Sequence, residues 1–299
     1  MRFFLLLAGL LVAPAIAYGQ SPEELKATIR QLEERLRALE KPQDDEEMDR
    51  ALERALVQQG GLVLRRGTYE IEPQLSYAHW DKRRSTLRHA SEAALGLRVG
   101  LGWESQFALR VPYLHVRSSD DSETGLGDIG VSLSKQLASE RGAWPSLVAS
   151  VGWLAKTGED GFDGGVPTGG GFDVLQAGFT AVKRRDPLVF FGGVSYSAPL
   201  SREISGSKVE PGDTLGVRFG SILAASPETS ATVGPNLGFV GGARVDGERV
   251  PDSDDVLATL QIGFSFIVTR RALLSLSGDF RLSGDVPDFR LSASLPIRF

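Results

Sequence analysis

The sequence predicts an all-β protein: a 12-stranded antiparallel transmembrane β-barrel preceded by a short α-helical segment. Three observations carry that expectation. A secretory leader opens the chain, and no later apolar run is long enough for a membrane helix. Near Gly61 the hydrophobic period changes from helical to two-residue, and the alternation then recurs in twelve stretches. The links between these stretches alternate between short and long.

Composition narrows the classes without choosing among them. A formal charge of −5 over 299 residues, with no basic run, excludes a nucleic-acid binder. The absence of cysteine excludes disulfides and thiolate metal sites, and it suits a chain that crosses an oxidising periplasm unfolded. The leader itself spans residues 1–19. Met1-Arg2 is positive, Phe3 to Ala13 is apolar, and Pro14-Ala15-Ile16-Ala17 or Ala17-Tyr18-Gly19 provides the cleavage site. Gly9 and Pro14 break the run, which is too short to span a bilayer.

Residues 20–61 form a periplasmic helical segment. Ser21-Pro22-Glu23-Glu24 is a capped helix start, with Pro22 at the first helical position. Leu25, Ile29, Leu32, Leu36 and Leu39 then recur at alternating spacings of four and three, which is a coiled-coil seam. Barely two and a half heptads do not hold alone, so self-association here needs barrels to keep the helices together. A second helix runs from Glu46 to Val57, with Met48, Leu52 and Leu56 on one side and Gly60-Gly61 ending it. Residues 21–58 hold eleven acids against seven bases, so most of the chain's acidity lies in this solvated stretch.

The barrel occupies residues 62–299. From Thr68, Tyr69, Ile71, Pro73, Leu75 and Tyr77 alternate with Glu70, Glu72, Gln74 and Ser76. Similar stretches begin near residues 68, 87, 104, 125, 145, 171, 187, 213, 231, 255, 272 and 288. Each is long enough, when tilted, to cross about 25 Å of hydrocarbon. Short links fall near 102–103, 138–144, 184–186, 226–230 and 269–271. Longer links, rich in Gly and Asp, fall at 81–86, 117–124, 158–170, 201–212 and 242–254, and 283–287 is the one short member of that set. This is the pattern of periplasmic turns and extracellular loops, and an even strand count leaves both termini in the periplasm. The terminal aromatic Phe299 closes an amphipathic strand and resembles the signal by which barrel-assembly machinery recognises outer-membrane proteins. A β-sandwich explains the alternation but not the alternating links.

Inward positions are mostly small, as at Gly96, Gly130, Ser132, Gly152, Gly178, Gly216 and Ser292, so twelve strands leave a narrow open lumen. Its charges are Glu70, Glu72, Arg98, Arg110, Arg218, Asp279, Arg281, Arg290 and Arg298. Closure of the barrel brings Glu70 and Glu72 to Arg298, which makes them seam salt bridges. Arg98, Arg110 and Arg218 form a mildly cationic constriction that favours anionic or polar solutes.

Other motifs carry no chemistry. Gly125-x-Gly-x-x-Gly130 lacks the strand before and helix after that a dinucleotide site requires. The glycines of 161–171 lack the Gly-Lys-Ser/Thr ending of a phosphate loop. His79, His89 and His115 point outward on separate strands, where their rings diverge, so no metal site or cofactor is expected. His89-Ala90-Ser91 matches an outward His-x-Ser pair of an outer-membrane phospholipase, but Glu92 stands where that enzyme has Asn. The chain is expected not to be an enzyme.

Gly60 to Leu75, the Gly125-Leu126-Gly127-Asp128-Ile129-Gly130 strand start and Gly170 to Gly178 resemble barrels of the meta-pathway of phenol degradation family. That resemblance covers roughly residues 60–299 and implies an outer-membrane channel, some members being linked to uptake of aromatic compounds. A coiled coil before such a barrel also resembles the functional-amyloid export channels, which implies a trimer in which Glu46 to Val57 occludes the lumen. The reading is therefore a bacterial outer-membrane channel for small solutes or a secreted polypeptide. Its partners are outer-membrane lipids, the assembly machinery and further copies of itself. A structural anchor for a periplasmic coiled coil is the alternative.

Overall fold

The computed structural model describes residues 60–81, 85–226 and 228–299. The leader, the coiled-coil seam of Leu25, Ile29, Leu32, Leu36 and Leu39, and the plug residues Met48, Leu52 and Leu56 lie outside the described residues.

Eighteen strands follow in order: β1 (Tyr69–His79), β2 (Leu87–Gly100), β3 (Ser105–Ser118), β4 (Ser122–Leu126), β5 (Ile129–Ala138), β6 (Ser146–Ala155), β7 (Val174–Arg185), β8 (Leu188–Pro199), β9 (Arg202–Ile204), β10 (Ser207–Glu210), β11 (Thr214–Ser226), β12 (Thr229–Val240), β13 (Arg244–Val245), β14 (Glu248–Arg249), β15 (Asp255–Ile267), β16 (Leu273–Ser283), β17 (Phe289–Ser294) and β18 (Ile297–Arg298). Twelve staves make a closed antiparallel barrel: β1, β2, β3, β5, β6, β7, β8, β11, β12, β15, β16, and β17 continued by β18. The seam closes where β1 pairs with β17, Gln74 opposite Ser294 through His79 opposite Phe289, and with β18, Glu70 opposite Arg298. Between β17 and β18 the ladder is interrupted at Pro296, which has no N–H to give.

The staves begin close to the positions that the alternation predicts. The clearest difference is at the fourth. The stretch near 125 divides into β4, which extends a hairpin with β3, and β5, which takes over the pairing with β3 from Gly130. The break is at Gly127, whose amide donates to the Pro112 carbonyl at 3.0 Å. A Cβ there would overlap the Leu114 side chain.

Alternation sorts side chains by solvent. Leu75, Leu95, Val151, Phe179, Phe219 and Leu291 all stand on the outer face and are about half exposed or more. No water-soluble protein tolerates a continuous apolar surface of this extent, because leaving it hydrated forfeits about 25 cal/mol per Å². The belt faces hydrocarbon, and the protein resides in the bacterial outer membrane. Tyr69 and Phe299 stack at 5.5 Å at one rim, where the Phe299 amide also donates to the Tyr69 carbonyl. Trp103 and Trp144 stand exposed on turns of the short-link end. These are interfacial aromatics.

The loops at the other end carry structure of their own. β9, β10, β13 and β14 form a separate four-stranded sheet from two links that the sequence predicts only as loops.

Among the described residues, a buried apolar group lies inside the cylinder. Val182, Val189, Phe191, Ile222 and Ala224 cluster on β7, β8 and β11, with Leu62 packed against them. An inward wall of small residues is therefore not uniform. Near the short-link end of three staves it becomes a greasy socket.

Candidate functional site

The segment 60–68 enters this socket and spans the barrel mouth at the end where the turns are short. It touches staves on opposite sides. A Cβ on Gly60 would sit 3.6 Å from the Arg218 guanidinium on β11. Ser146 Oγ on β6 donates to the Gly61 carbonyl at 3.3 Å. Leu62 packs on the β7–β8–β11 cluster, and the Leu64 amide donates to Gln106 Oε1 on β3 at 2.9 Å. Leu64, Gln106 and Ser146 are all buried, so these polar contacts are made away from bulk water. The segment then turns into β1. Thr68 N–H donates to the Arg65 carbonyl, Gly67 N–H donates to the Gly100 carbonyl of β2 at 3.0 Å, and Gly100 N–H donates back to the Thr68 carbonyl at 2.8 Å. Gly100 has to be glycine, since a Cβ would overlap the Arg65 carbonyl. Beside the segment lies a cavity of about 810 Å³ lined by Leu62 to Arg66, Leu101 to Glu104, Gln136 and Arg184. The expected open lumen is filled at this end.

Above the segment, the inward charges come in cross-strand sets. Glu70, buried, lies 3.4 Å from Arg98 and 3.4 Å from Arg298. Glu70 Oε1 has no hydrogen-bond partner among the described residues and is held by charge alone. Arg98 also pairs with Glu72, and Arg110 pairs with Glu92. Asp279 is the register partner of Arg290, and Arg281 binds Asp288 at 2.7 Å. Arg218, on a stave across the barrel from Arg98, donates to Thr180 Oγ1 at 3.1 Å. Thus Arg98 and Arg110 carry acidic partners of their own rather than presenting bare charge to the lumen. Glu92 and Asp288 are the partners that the sequence reading omitted. Strand parity alone places Glu92 inward, two residues beyond Ala94. A polar track of Thr232, Gln261, Ser265, Ser275, Ser277 and Ser294 runs along the neighbouring wall beside Glu72 and Arg98.

At the long-loop end, residues 156–173 are drawn onto β3 to β5. Asp128 accepts from Gly158 N–H at 3.0 Å and Gly170 N–H at 2.6 Å. Thr168 Oγ1 donates to the Leu126 carbonyl at 2.9 Å, and both Thr168 and Val166 are buried. Asp160 pairs with Arg202 at 2.6 Å, which also stacks over Phe162. The hydrogen bond from Arg202, followed by the Phe162 amide, holds the Asp160 carboxyl below its ordinary value.

The histidines correct an expectation. His79 and His89 do not diverge: they are register partners with ring centroids 5.0 Å apart and Nδ1 atoms at 3.2 Å. Directly opposed residues on paired strands stand close enough to touch. Tyr77 Oη bonds His89 Nδ1 at 2.7 Å, and His115 bonds Thr124 Oγ1 at 2.7 Å. His89 Nδ1 is thus shared with Tyr77 and His79.

No protein-family model matches the chain. Solved barrels do. An outer-membrane channel from Pseudomonas putida F1 is similar at a TM-score of 0.66 and 16% identity, over 80% of this chain and 97% of that one. The NanC porin gives 0.51 and 10%, over 77% and 98% respectively. The translocator domain of the autotransporter NalP from Neisseria meningitidis gives 0.50 and 13%, over 86% and 98%. Likeness at these identities establishes the fold, and the fold is that of an outer-membrane β-barrel.

Proposed function

We propose that this protein is an outer-membrane channel for small polar solutes whose periplasmic mouth is closed by residues 60–68. One observation carries the reading. The lumen keeps its width with glycine, serine and threonine and matches its charges in cross-strand pairs, while among the described residues a single peptide segment fills one end. A structural barrel has no need of that arrangement, because small barrels pack their interiors with side chains. The segment is held by half-buried Leu62, buried Leu64 and a few hydrogen bonds, few enough to release. Among the similar structures, one is called an outer-membrane channel and one a porin, in keeping with this role.

The pairing of Arg98 and Arg110 with Glu70, Glu72 and Glu92 argues for a nearly neutral path rather than a strongly anion-selective one. A leader over 1–19, a helical segment over 20–61 that gathers copies through the Leu25–Leu39 seam, recognition of Phe299 by the assembly machinery, and kinship with the phenol degradation family complete the proposal.

Solute influx into proteoliposomes tests it. Protein lacking residues 20–67 is expected to admit a neutral sugar, a zwitterionic amino acid and a small monovalent anion at comparable rates, and the full chain more slowly. Failure of the truncated barrel to pass any of the three overturns the proposal.

A further inference from the structure

On the outer wall, two features meet at Tyr77. The first is a depression of about 580 Å³ in the lipid-facing belt, lined by Leu75, Tyr77, Ile262, Phe264, Phe280 and Leu291. Gly278 also lines it, in an outward row between Leu276 and Phe280, and faces Leu291 across the strand pair. A Cβ there would lie 3.0 Å from the Phe280 ring and 3.4 Å from Leu291. Its volume falls within the roughly 300–1,000 Å³ of small-molecule sites.

The second feature lies at the extracellular edge of that belt. All three histidines of the chain stand on the outer faces of adjacent strands β1, β2 and β3. Tyr77 pairs with Ser91 and Ser91 with His115; in the next row His79 pairs with His89 and His89 with Arg117. The outward positions of these two rows carry imidazole, guanidinium and hydroxyl groups and no carboxylate. Tyr77 joins the two features, forming a wall of the depression while its hydroxyl bonds His89.

The geometry points to a binding site for one lipid of the outer leaflet, with an acyl chain in the depression over Gly278 and an anionic phosphate headgroup on the His79–His89–Arg117 rows. The apolar part is immersed in hydrocarbon, so an acyl chain is the matter available to fill it. Guanidinium and imidazole N–H groups at headgroup height are donors for phosphate oxygens, and such charge-assisted bonds are the strong ones. Tyrosine at the junction suits a place with one apolar and one wet side. The inference needs only that the barrel is embedded, and stands apart from what passes through it.

The test is titration of the detergent-solubilised full chain with lipid A, a phosphorylated and acylated diglucosamine, followed by native mass spectrometry. Inorganic phosphate and the uncharged detergent provide the comparison. Wild type is expected to retain one lipid A. The triple variant His79→Asn, His89→Asn, Arg117→Gln should bind roughly tenfold more weakly. Gly278→Leu, which fills the depression, should weaken binding similarly without touching the headgroup rows. The rim variant alters the exposed Arg117 and the half-buried His79 and His89 on the outer face, none of them in the buried core, so it decides the matter alone if Gly278→Leu does not assemble. Unchanged affinity in the rim variant overturns the inference. So does equal binding of inorganic phosphate, or a Gly278→Leu protein that loses a dimer or trimer rather than a lipid, since a second copy would then own the depression.

Discussion

Replacing Leu62 by alanine perturbs the closure without touching the barrel wall. Its side chain lies half-buried against Val182, Val189, Phe191, Ile222 and Ala224. The substitution removes three carbons, each worth about 0.8 kcal/mol when fully buried, and half burial reduces the total to about 1.2 kcal/mol. If that contact holds the segment seated, the ratio of unseated to seated states rises roughly sevenfold. Single-channel recording in planar bilayers at fixed voltage reads that ratio as open probability, and Leu62→Ala is expected to raise it by about that factor. Leu62→Asp sets a carboxylate against the same apolar socket and raises it further. An unchanged open probability together with a lowered unfolding midpoint would refute the reasoning, because Leu62 would then be securing the barrel and not closing it.

Gly100→Ala overlaps the Arg65 carbonyl and breaks the turn that leads residues 60–68 into β1; trypsin is expected to cut at Arg65-Arg66 faster than in wild type. Glu70→Gln removes the buried carboxylate that Arg98 and Arg298 share, and the folded barrel should lose about 3 kcal/mol in urea unfolding, whereas Glu72→Gln should cost less. The Asp160 carboxyl titrates below its ordinary value of 3.8, so its clamp on Arg202 contributes fully above that pH and is lost as pH falls through the lowered value. Proteolysis of the 156–173 loop should accordingly rise only below about pH 3.8, and Asp160→Asn should remove that dependence.

Strand positions were legible because a membrane barrel imposes the same two-solvent rule on every stave. Tyr69 to Tyr77 or Leu260 to Phe266 read as strands without knowledge of their neighbours. What period two does not encode is which inward face meets something other than water. Val182, Val189, Phe191 and Ile222 have inward parity, yet nothing local says that a leucine 120 or more positions earlier fills the space before them. Residues 60–68 have no alternation because they are not in the wall, so the sequence shows only where the wall begins. Barrel closure anticipates the Glu70–Arg298 pair, but parity alone does not give the pairing of Glu72 with Arg98 or of Glu92 with Arg110. The His79–His89 contact depends on register, which a strand boundary wrong by one residue would lose. Loop strands such as β9 and β10, three and four residues long, are too short for any period to declare itself.

The closure itself is tested most directly by comparing single-channel currents of the full chain with those of a chain lacking residues 20–67 that keeps its leader. The account predicts long-lived conducting steps in the shortened protein, with near-equal permeability to potassium and chloride, and brief, infrequent openings of the same size in the full chain. Identical recordings from the two proteins, or a shortened barrel that inserts and stays silent, would contradict it.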